Sequence, residues 1–354
     1  QALKDMALLY RNNLDIKVVG ITGSVGKTST KETISYVLNK KYKVLKTEGN
    51  FNNEIGLPLT VFRLRDDDEV AVLEMGISDF GEMDRLSKIA QPDISVITNI
   101  GLCHLENLKT RDGILKAKTE IFNNMKPDGI AILNGDDDKL ITVDEVNGKK
   151  PERFGINYKD GVYAKDIENL GLSGTKFVIS GLNCVDGCKD FEVTVPVPGH
   201  HMIYNALAAA CVGAALELTS TQIADGIADL KTISGRNNII KTSKYTLIDD
   251  CYNANPVSMK ASVDVLDMAI GRKVCILGNM YELGENEKNL HYDVGQYIGT
   301  KNIDVLITIG DLARHIAMGT DDYMETHFGS YDCEIHSFDD MEEFNMAYSS
   351  ILKD

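Results

Sequence analysis

The sequence predicts an α/β fold, in which a doubly wound domain with a mostly parallel sheet is followed by a second, Rossmann-like domain. Short apolar runs that are typical of buried strands alternate with helical segments along the first part of the chain. A glycine-rich loop lies between the first of these runs and the helix after it. A new α/β pattern begins after the polar stretch 234–238, and a chain of 354 residues is long enough for two domains.

The stretch 18–30, VVGITGSVGKTST, has the arrangement of a phosphate-binding loop. Residues 16–21 are predicted to form a buried strand and residues 29–39 a helix, with the glycines between them. Glycine lets backbone N–H groups crowd around phosphate oxygens, because no Cβ stands in the way. The N-terminus of the helix adds partial positive charge. The sequence therefore predicts a nucleotide-phosphate site at this loop.

Two side chains at the end of the loop have the chemistry that such a site needs. Lys27 can reach the outer phosphates, and the hydroxyl of Thr28 can bind a magnesium ion. The common nucleotide loop has a glycine five residues before Gly26, where this chain has Ile21. An ordinary strand–turn–helix with an incidental lysine is therefore the alternative interpretation.

The composition opposes several classes of function. The formal net charge of −16 at pH 7 opposes binding to nucleic acid or to an anionic membrane as a main function. No apolar run approaches the length that spans a membrane. Several of the seven cysteines lie in apolar runs, which predicts reduced thiols in a cytosolic protein. Cys184 and Cys188 are the only close pair, and a surface hairpin is a better interpretation there than a metal site.

Two polar residues follow predicted strands of the first domain. Residues 70–73 form an apolar run that ends at Glu74, and residues 94–98 lead into a loop that carries His104. The carboxyl ends of strands are where an open α/β sheet binds ligands. Glu74 is therefore the expected magnesium ligand, whereas His104 on its own is typical of a surface loop. The amide-rich stretch 47–60 is predicted to be a loop that either binds a polar ligand or is simply exposed.

The remaining pattern completes both domains. A predicted helix over 111–124 carries Lys116 and Lys118, and lysines on helices are mostly solvated. Short β-like runs fill residues 151–198, and a buried, alanine-rich helix follows over 204–217. No Gly-x-Gly-x-x-Gly follows the first strand of the second domain, so it is not an obvious dinucleotide-binding domain. That domain is predicted from strands at 246–248, 274–277 and 305–309 and helices at 260–269 and 291–298.

Together with the phosphate loop, three stretches resemble the Mur ligase family of cell-wall amide-forming ligases: GNFNNEIGLP at 49–58, DDCYNANP at 249–256 and LGNMYELG at 277–284. The loop, read as TGS-x-GKT, is that family's variant, which accounts for the missing glycine. The resemblance implies a central P-loop ATPase domain with a small β-rich section over 15–234, and a Rossmann-like ligase domain over 235–354. It also implies that residues 1–14 are the exit helix of an N-terminal domain missing from this chain, and that the last domain is truncated.

The resemblance implies ATP-dependent formation of an amide bond. The three stretches are most similar to the family member that adds D-alanyl-D-alanine to UDP-N-acetylmuramoyl-tripeptide through an acyl phosphate, in the synthesis of peptidoglycan precursors. The expected protein is a cytoplasmic monomer that uses ATP and Mg²⁺ and binds neither nucleic acid nor membranes. The alternatives are another amide ligase of this type, such as folylpolyglutamate synthase, and a nucleotide-binding protein that is not a ligase.

The resemblance also assigns the nucleotide and metal sites. In the family, the lysine that matches Lys118 is carbamylated by carbon dioxide and becomes a carboxylate-like anion. The match rests on the pattern Ala-Lys-x-x-Ile-Phe at 117–122, which makes Lys116 the poorer choice. ATP binding is implied for Gly23, Ser24, Val25, Gly26, Lys27, Thr28, Ser29, Asn205, Arg236 and Asp250. Metal binding is implied for Thr28, Glu74, His104 and carbamylated Lys118, and catalysis for Lys27, Lys118, His104 and Glu74.

Contacts outside the loop follow from the same resemblance. Met202 stands where the family usually has an asparagine, so one adenine-side contact is expected to be lost or replaced. Adenine, the γ-phosphate and the ribose are expected to contact Asn205, Arg236 and Asp250 respectively. The UDP-sugar-peptide is expected to contact Asn52 and Asn53, and the incoming dipeptide is expected to face Tyr252, Asn253 and Asn255.

Overall fold

The computed structural model describes residues 1–327 and 332–352 and divides the chain into two compact units, Gln1–Lys231 and Thr232–Asp354. The first unit is built around a nine-stranded sheet, and the second contains a three-stranded sheet and a two-stranded hairpin. Both units mix helices with strands, so the predicted α/β fold class is confirmed. Within the described ranges, no helix combines the length and the apolar character needed to cross a membrane.

The first unit alternates strands and helices, as its sequence pattern predicts. Its strands are β1 (Lys17–Thr22), β2 (Val44–Lys46), β3 (Val70–Glu74), β4 (Ile94–Ile97), β5 (Ile130–Asn134), β6 (Glu152–Gly155), β7 (Val162–Asn169), β8 (Thr175–Ser180) and β9 (Asp190–Val195). Its helices are α1 (Ala2–Asn12), α2 (Lys27–Leu38), α3 (Gly56–Val61), α4 (Glu82–Ala90), α5 (Leu105–Leu108), α6 (Arg111–Thr119), α7 (His201–Ala215) and α8 (Ser220–Ala228). The strands predicted around the phosphate loop and the buried helix predicted over 204–217 are confirmed, with small shifts at their ends.

The order of the strands places the phosphate loop where an open sheet binds ligands. The sheet runs β2-β3-β1-β4-β5-β6-β7-β8-β9, and all pairs from β2 to β7 are parallel. The last two pairs of the sheet, β7 with β8 and β8 with β9, are antiparallel. Because β1 lies between β3 and β4, the winding of the chain reverses at this strand. The carboxyl end of β1, where the loop begins, is therefore a topological switch point.

Apolar side chains cover both faces of this sheet. Successive residues of a strand point to opposite faces, so Val18 belongs to one apolar cluster and Val19 to the other. The cluster around Val19 includes α2, α7 and α8, whereas the cluster around Val18 includes α4 and α6. Burial on both faces explains why these parallel strands are near-continuous apolar runs in the sequence.

One predicted helix of the first unit changes character before its end. The segment predicted over 111–124 is α-helical only as far as Thr119 and continues as a 3-10 helix over Glu120–Asn124. The hydroxyl of Thr119 donates to Leu115 O over 2.9 Å, and such a bond to the preceding turn weakens and bends a helix. The predicted helix is therefore present, but its last five residues form a 3-10 helix and not an α-helix.

The amide-rich stretch predicted as a loop over 47–60 is partly helical, because α3 begins within it. Asn53 Oδ1 accepts hydrogen bonds from Ile55 N over 3.1 Å and from Gly56 N over 2.9 Å. These bonds satisfy backbone donors at the start of a helix, which favours a helical turn at this point. The loop prediction is wrong for the residues from Gly56 onward.

The seven cysteines, all of which lie in the described ranges, are free thiols. Cys184 and Cys188 occupy the connection between the antiparallel strands β8 and β9, so the predicted hairpin is confirmed. Cys184 is nevertheless buried, and burial raises the pKa of its thiol to about 11. A thiol of this kind stays protonated near neutral pH.

The second unit combines a parallel sheet with a separate hairpin. Its strands are β10 (Asn238–Lys241), β11 (Thr246–Asp249), β12 (Val274–Leu277), β13 (Val305–Ile309) and β14 (Glu334–Phe338), and its helices are α9 (Pro256–Asp267), α10 (Glu287–Gly299), α11 (Arg314–Thr326) and α12 (Met341–Ile351). Strands β12, β13 and β14 are parallel neighbours in that order. The strand predicted over 246–248 is β11, but it pairs with β10 in antiparallel fashion. Thr242 N donates to Tyr245 O over 2.9 Å, and this tight turn can join only antiparallel strands.

Candidate nucleotide and magnesium site

The loop between β1 and α2 depends on two glycines. Gly23 has a φ of 153° and Gly26 a φ of 83°, which are conformations that side chains with a Cβ rarely adopt. A Cβ on Gly23 would lie 1.9 Å from Thr98 Oγ1, so only glycine lets the loop approach the end of β4 this closely. Helix α2 begins at Lys27, directly after Gly26, and its first N–H groups lie at the loop. The other loop residues assigned to ATP lie in this turn or in the first turn of the helix: Ser24, Val25, Thr28 and Ser29.

The residues that follow β4 hold the loop from the side. Asn99 Oδ1 accepts a hydrogen bond from Val25 N over 2.9 Å, and Asn99 Nδ2 donates to Val25 O over 3.0 Å. Thr98 Oγ1 donates to the same carbonyl oxygen over 2.7 Å. Sequence reasoning missed both residues, although their place directly after a buried strand was a usable signal. Their contacts fix the centre of the loop.

The two lysines assigned to catalysis are near enough for their charges to interact. Lys27 Nζ donates to Gly23 O over 2.9 Å, at the start of the loop. Lys118 on α6 is buried, with 1% of its surface exposed. Burial, and after it the charge of Lys27, lower the pKa of Lys118 from 10.5 to about 7, and Cys103 opposes the shift. Much of Lys118 is therefore a neutral amine near neutral pH.

Glu74 lies at the carboxyl end of β3 and is the centre of the site's polar contacts. It is only 2% exposed. Its Oε1 atom accepts hydrogen bonds from Asn52 Nδ2 over 2.8 Å and from Thr28 Oγ1 over 3.3 Å. Its Oε2 atom is buried and accepts no hydrogen bond. A buried carboxylate oxygen left in this way is available to a cation.

The residues around Glu74 fit a magnesium ion that is shared with phosphates. Magnesium usually keeps several waters and is bound by one or two carboxylates together with substrate phosphates. A hydroxyl that donates its proton, as Thr28 does to Glu74, keeps lone pairs for a metal. In the parts of the chain that the structure describes, no group of three or more His, Cys, Asp or Glu residues is arranged to hold a metal. The donors at Glu74 and Thr28 suit magnesium held jointly with a nucleotide.

The asparagines expected to contact the sugar-peptide have different partners. Asn52 is bound to Glu74 through its side chain, and its carbonyl oxygen accepts a hydrogen bond from Gly76 N over 2.8 Å. Asn53 is exposed, and its side-chain oxygen accepts backbone hydrogen bonds at the start of α3. Asn52 thus contacts the candidate magnesium ligand Glu74, whereas Asn53 stabilises the local turn.

His104 and Asn205 lie on other elements near the same edge of the sheet. His104 is the half-buried residue before α5, with a φ of 51°. Asn205 on α7 accepts a hydrogen bond from Thr30 Oγ1 over 2.9 Å, and a Cβ on Gly26 would lie 3.6 Å from Asn205 Oδ1. The structure therefore brings Asn205 to the phosphate loop. Met202 accepts a hydrogen bond at its sulfur from Asn205 Nδ2 over 3.2 Å.

Five of the assigned residues lie in the second unit, around the stretch that follows β11. The guanidinium of Arg236 lies 4.2 Å from the ring centroid of Tyr252, an exposed aromatic residue. Asp250 accepts hydrogen bonds from Asn237 N, over 3.2 Å, and from the hydroxyl of Ser262. The side chain of Asn253 accepts a hydrogen bond from a neighbouring backbone N–H group. The side chain of Asn255 accepts two such bonds and caps the N-terminus of α9.

These features define the class of the protein: an α/β nucleotide-binding protein with a phosphate loop and an adjacent carboxylate suited to magnesium. Comparison with known families makes the assignment specific. Residues 21–213 match the Mur ligase middle domain, and residues 235–353 match the glutamate ligase domain of Mur ligases. The chain belongs to the Mur ligase family.

Individual relatives are similar over most of the chain. The UDP-N-acetylmuramoyl-tripeptide–D-alanyl-D-alanine ligase of Bacillus subtilis is 40% identical over 321 residues, which are 90% of this chain and 68% of that protein. A crystal structure of MurF from Acinetobacter baumannii has a TM-score of 0.85 at 30% identity and covers 99% of this chain and 80% of that one. MurF from Thermotoga maritima in complex with ADP has a TM-score of 0.80 at 29% identity, covering 99% and 82%.

Proposed function

We propose that this chain catalyses ATP-dependent amide bond formation in which D-alanyl-D-alanine is added to UDP-N-acetylmuramoyl-tripeptide. The observation that carries the proposal is the 40% identity over 321 residues with the Bacillus subtilis ligase of that name. The phosphate loop and the neighbouring carboxylate supply the parts that an ATP-dependent ligase needs. The reaction belongs to the synthesis of peptidoglycan precursors in the cytoplasm. The chain acts as a monomer, without nucleic-acid or membrane partners.

The chemistry requires two anions to meet, the γ-phosphate of ATP and the terminal carboxylate of the tripeptide. Their repulsion opposes the reaction unless positive charge compensates it, and Lys27 with the N–H groups of the loop supplies that charge. The carboxylate attacks the γ-phosphorus, ADP leaves, and an acyl phosphate forms. The amine of D-alanyl-D-alanine then attacks the acyl carbon and loses a proton, and phosphate leaves. A magnesium ion held by Thr28 and Glu74 would add positive charge at the phosphate oxygens.

Lys118 is proposed to carry a carbamate. The neutral amine attacks carbon dioxide, a nitrogen–carbon bond forms, and one proton leaves. Burial and the nearby charge of Lys27 lower the pKa of Lys118 to about 7, which favours the reacting form of the amine. The charge of Lys27 destabilises the ammonium form of Lys118. The same charge would stabilise the carbamate, because the carbamate is an anion. In this role Lys118 and His104 would help to hold magnesium.

The remaining assigned residues keep their proposed roles. Asn205 is proposed for adenine, Arg236 for the γ-phosphate and Asp250 for the ribose. The sugar-peptide is proposed to contact Asn52 and Asn53. The incoming dipeptide is proposed to contact Tyr252, Asn253 and Asn255. The aromatic ring of Tyr252 is exposed.

A coupled assay of ADP and phosphate release tests the proposal. Phosphate release that requires both UDP-N-acetylmuramoyl-tripeptide and D-alanyl-D-alanine, with formation of the joined product by mass spectrometry, is the expected result. Release that instead requires a folate and glutamate would favour a folylpolyglutamate synthase. ATP turnover that responds to neither acceptor pair would favour a nucleotide-binding protein that is not a ligase.

A further inference from the structure

Lys31 is a buried lysine that the catalytic assignments do not use. It lies on α2, one turn after Lys27, and is 2% exposed. Its Nζ atom lies 3.2 Å from Glu32 Oε1 and 3.8 Å from Glu74 Oε2. Lys31 therefore contacts the same carboxylate oxygen that accepts no hydrogen bond.

The charge of Lys31 is part of a row of four alternating charges. Lys46 on β2 forms an ion pair with Glu32, which pairs with Lys31, which in turn faces Glu74. Exposure falls along this row, from 36% at the Lys46 side chain to 2% at the side chains of Lys31 and Glu74. Two carboxylates thus attract the Lys31 ammonium, so charge as well as packing stabilises its position.

The distance between Lys31 and Glu74 is informative. At 3.8 Å the two groups attract each other, but the separation exceeds that of a hydrogen bond. The lone pairs of Glu74 Oε2 therefore stay unused, while the buried negative charge of Glu74 is compensated. Asn52 and Thr28 hold the other oxygen, Oε1. A contribution to folding stability does not by itself explain the arrangement, because the cost of removing two charges from water can exceed the attraction between them.

We propose that Lys31 is a positioning residue that holds the Glu74 carboxylate in place and leaves its Oε2 atom available to the magnesium ion of bound ATP. The inference rests on the proposed ATP and magnesium site and extends it to a residue with no assigned role. Lys31 acts through Glu74 and does not itself contact the nucleotide. Its effect therefore depends on the presence of both magnesium and the Glu74 carboxylate.

Calorimetry of ATP binding, with Mg²⁺ and with EDTA, tests this inference on the whole chain. Lys31→Met is expected to weaken binding of Mg-ATP by about tenfold or more, as loss of a partner of a metal ligand typically does. Binding of ATP in EDTA is expected to change by less than about twofold, because Lys31 acts on the metal ligand and not on the nucleotide. Lys40→Met is the matched control, because Lys40 lies beyond the end of α2 and pairs with Asp229 at the surface.

A double-mutant cycle with Glu74→Gln separates positioning from a general structural effect. If Lys31 acts through Glu74, adding Lys31→Met to Glu74→Gln produces no further loss of Mg-ATP affinity. Equal weakening with and without Mg²⁺, or a full additional loss in the Glu74→Gln background, would overturn the inference. If Lys31→Met does not fold, Lys31→Gln removes the same charge and carries the same test.

The wild-type titrations keep the two proposals distinguishable. Wild-type protein that binds ATP no better with Mg²⁺ than in EDTA would overturn the proposed metal site and this inference with it. If the wild-type protein requires Mg²⁺ for tight ATP binding and Lys31→Met retains that requirement in full, only the inference about Lys31 is overturned.

Discussion

The side-chain amide of Asn52 donates a hydrogen bond to Glu74 Oε1 over 2.8 Å, which joins the amide-rich stretch to the end of β3. The backbone strengthens this link, because Asn52 O accepts from Gly76 N over 2.8 Å. A residue that resembles a substrate contact is therefore attached directly to the carboxylate proposed for magnesium. If the stretch moved when the sugar-peptide bound, the position of the Glu74 carboxylate would change with it.

Asn52→Ala is expected to weaken Mg-ATP binding by about tenfold. A hydrogen bond to a charged group contributes about 1.5–3 kcal/mol, and about 1.4 kcal/mol corresponds to tenfold in affinity. Calorimetry with Mg²⁺ measures the effect. Asn13→Ala is the control, because the exposed amide of Asn13, directly after α1, donates to Leu9 O of that helix. Unchanged affinity in Asn52→Ala would show that the bond to Glu74 is unimportant for the metal site.

Lys27→Ala is expected to nearly abolish ligation with folding intact. Loss of one donor that stabilises developing charge typically lowers kcat by about a hundredfold or more. The measurement is the rate of phosphate release with both substrates, beside a thermal unfolding curve. Lys27 donates hydrogen bonds to two carbonyl oxygens of its own loop, those of Gly23 and Ser24, so little stability is expected to depend on it. Near-normal turnover in this variant would contradict the assignment of the loop.

Lys118 is expected to form a carbamate that increases as the pH rises through about 7, where its pKa lies. The sign follows from protonation, because the ammonium dominates below that pKa and the reactive neutral amine above it. Carbon-13 NMR with labelled bicarbonate, recorded from about pH 6 to about pH 8.5, follows the carbamate signal directly. Lys118→Met should lack the signal.

Lys116→Met is the matched control for this experiment. Lys116 lies on the same helix but is exposed, with its Nζ 5.9 Å from the centroid of the Phe80 ring. It should retain the signal of the wild-type protein, because the buried amine is untouched. A signal that survives in Lys118→Met and disappears in Lys116→Met would reverse the choice between the two lysines.

The sequence could predict the parts of the site that depend on residues close together along the chain. Lys27 follows an apolar strand and two glycines within a few residues, and that order predicts a phosphate loop. Glu74 could be placed because it ends a buried strand. Lys118 could be assigned only through the resemblance, since its burial depends on how α6 packs.

The missed features depend on which strands become neighbours. Asn99 reaches Val25 because β4 pairs with β1, although 74 positions separate the two residues. Lys31 reaches Glu74 because β3 pairs with β1 on the other side. No local pattern encodes this strand order. The sequence therefore predicts candidate reacting groups more readily than the residues that hold them in place.

The loop contact of Asn99 gives the last prediction. Its side chain makes two hydrogen bonds to the backbone of Val25, one through each atom of the amide. Asn99→Ala removes both bonds, while Thr98 Oγ1 still donates to Val25 O over 2.7 Å. The loop should therefore remain folded but populate its binding conformation less often.

We expect Asn99→Ala to weaken Mg-ATP binding by about tenfold, because two bonds of about 1 kcal/mol each exceed the 1.4 kcal/mol that corresponds to about tenfold. Calorimetry gives the affinity, and denaturant unfolding gives the change in stability. Asn124→Ala is the control, because the half-buried Asn124 amide donates to Ser87 Oγ over 3.0 Å, away from the loop. Both variants should lose stability, but only Asn99→Ala should lose affinity. Equal loss of affinity in the two would mean that stability, not the loop contact, governs nucleotide binding.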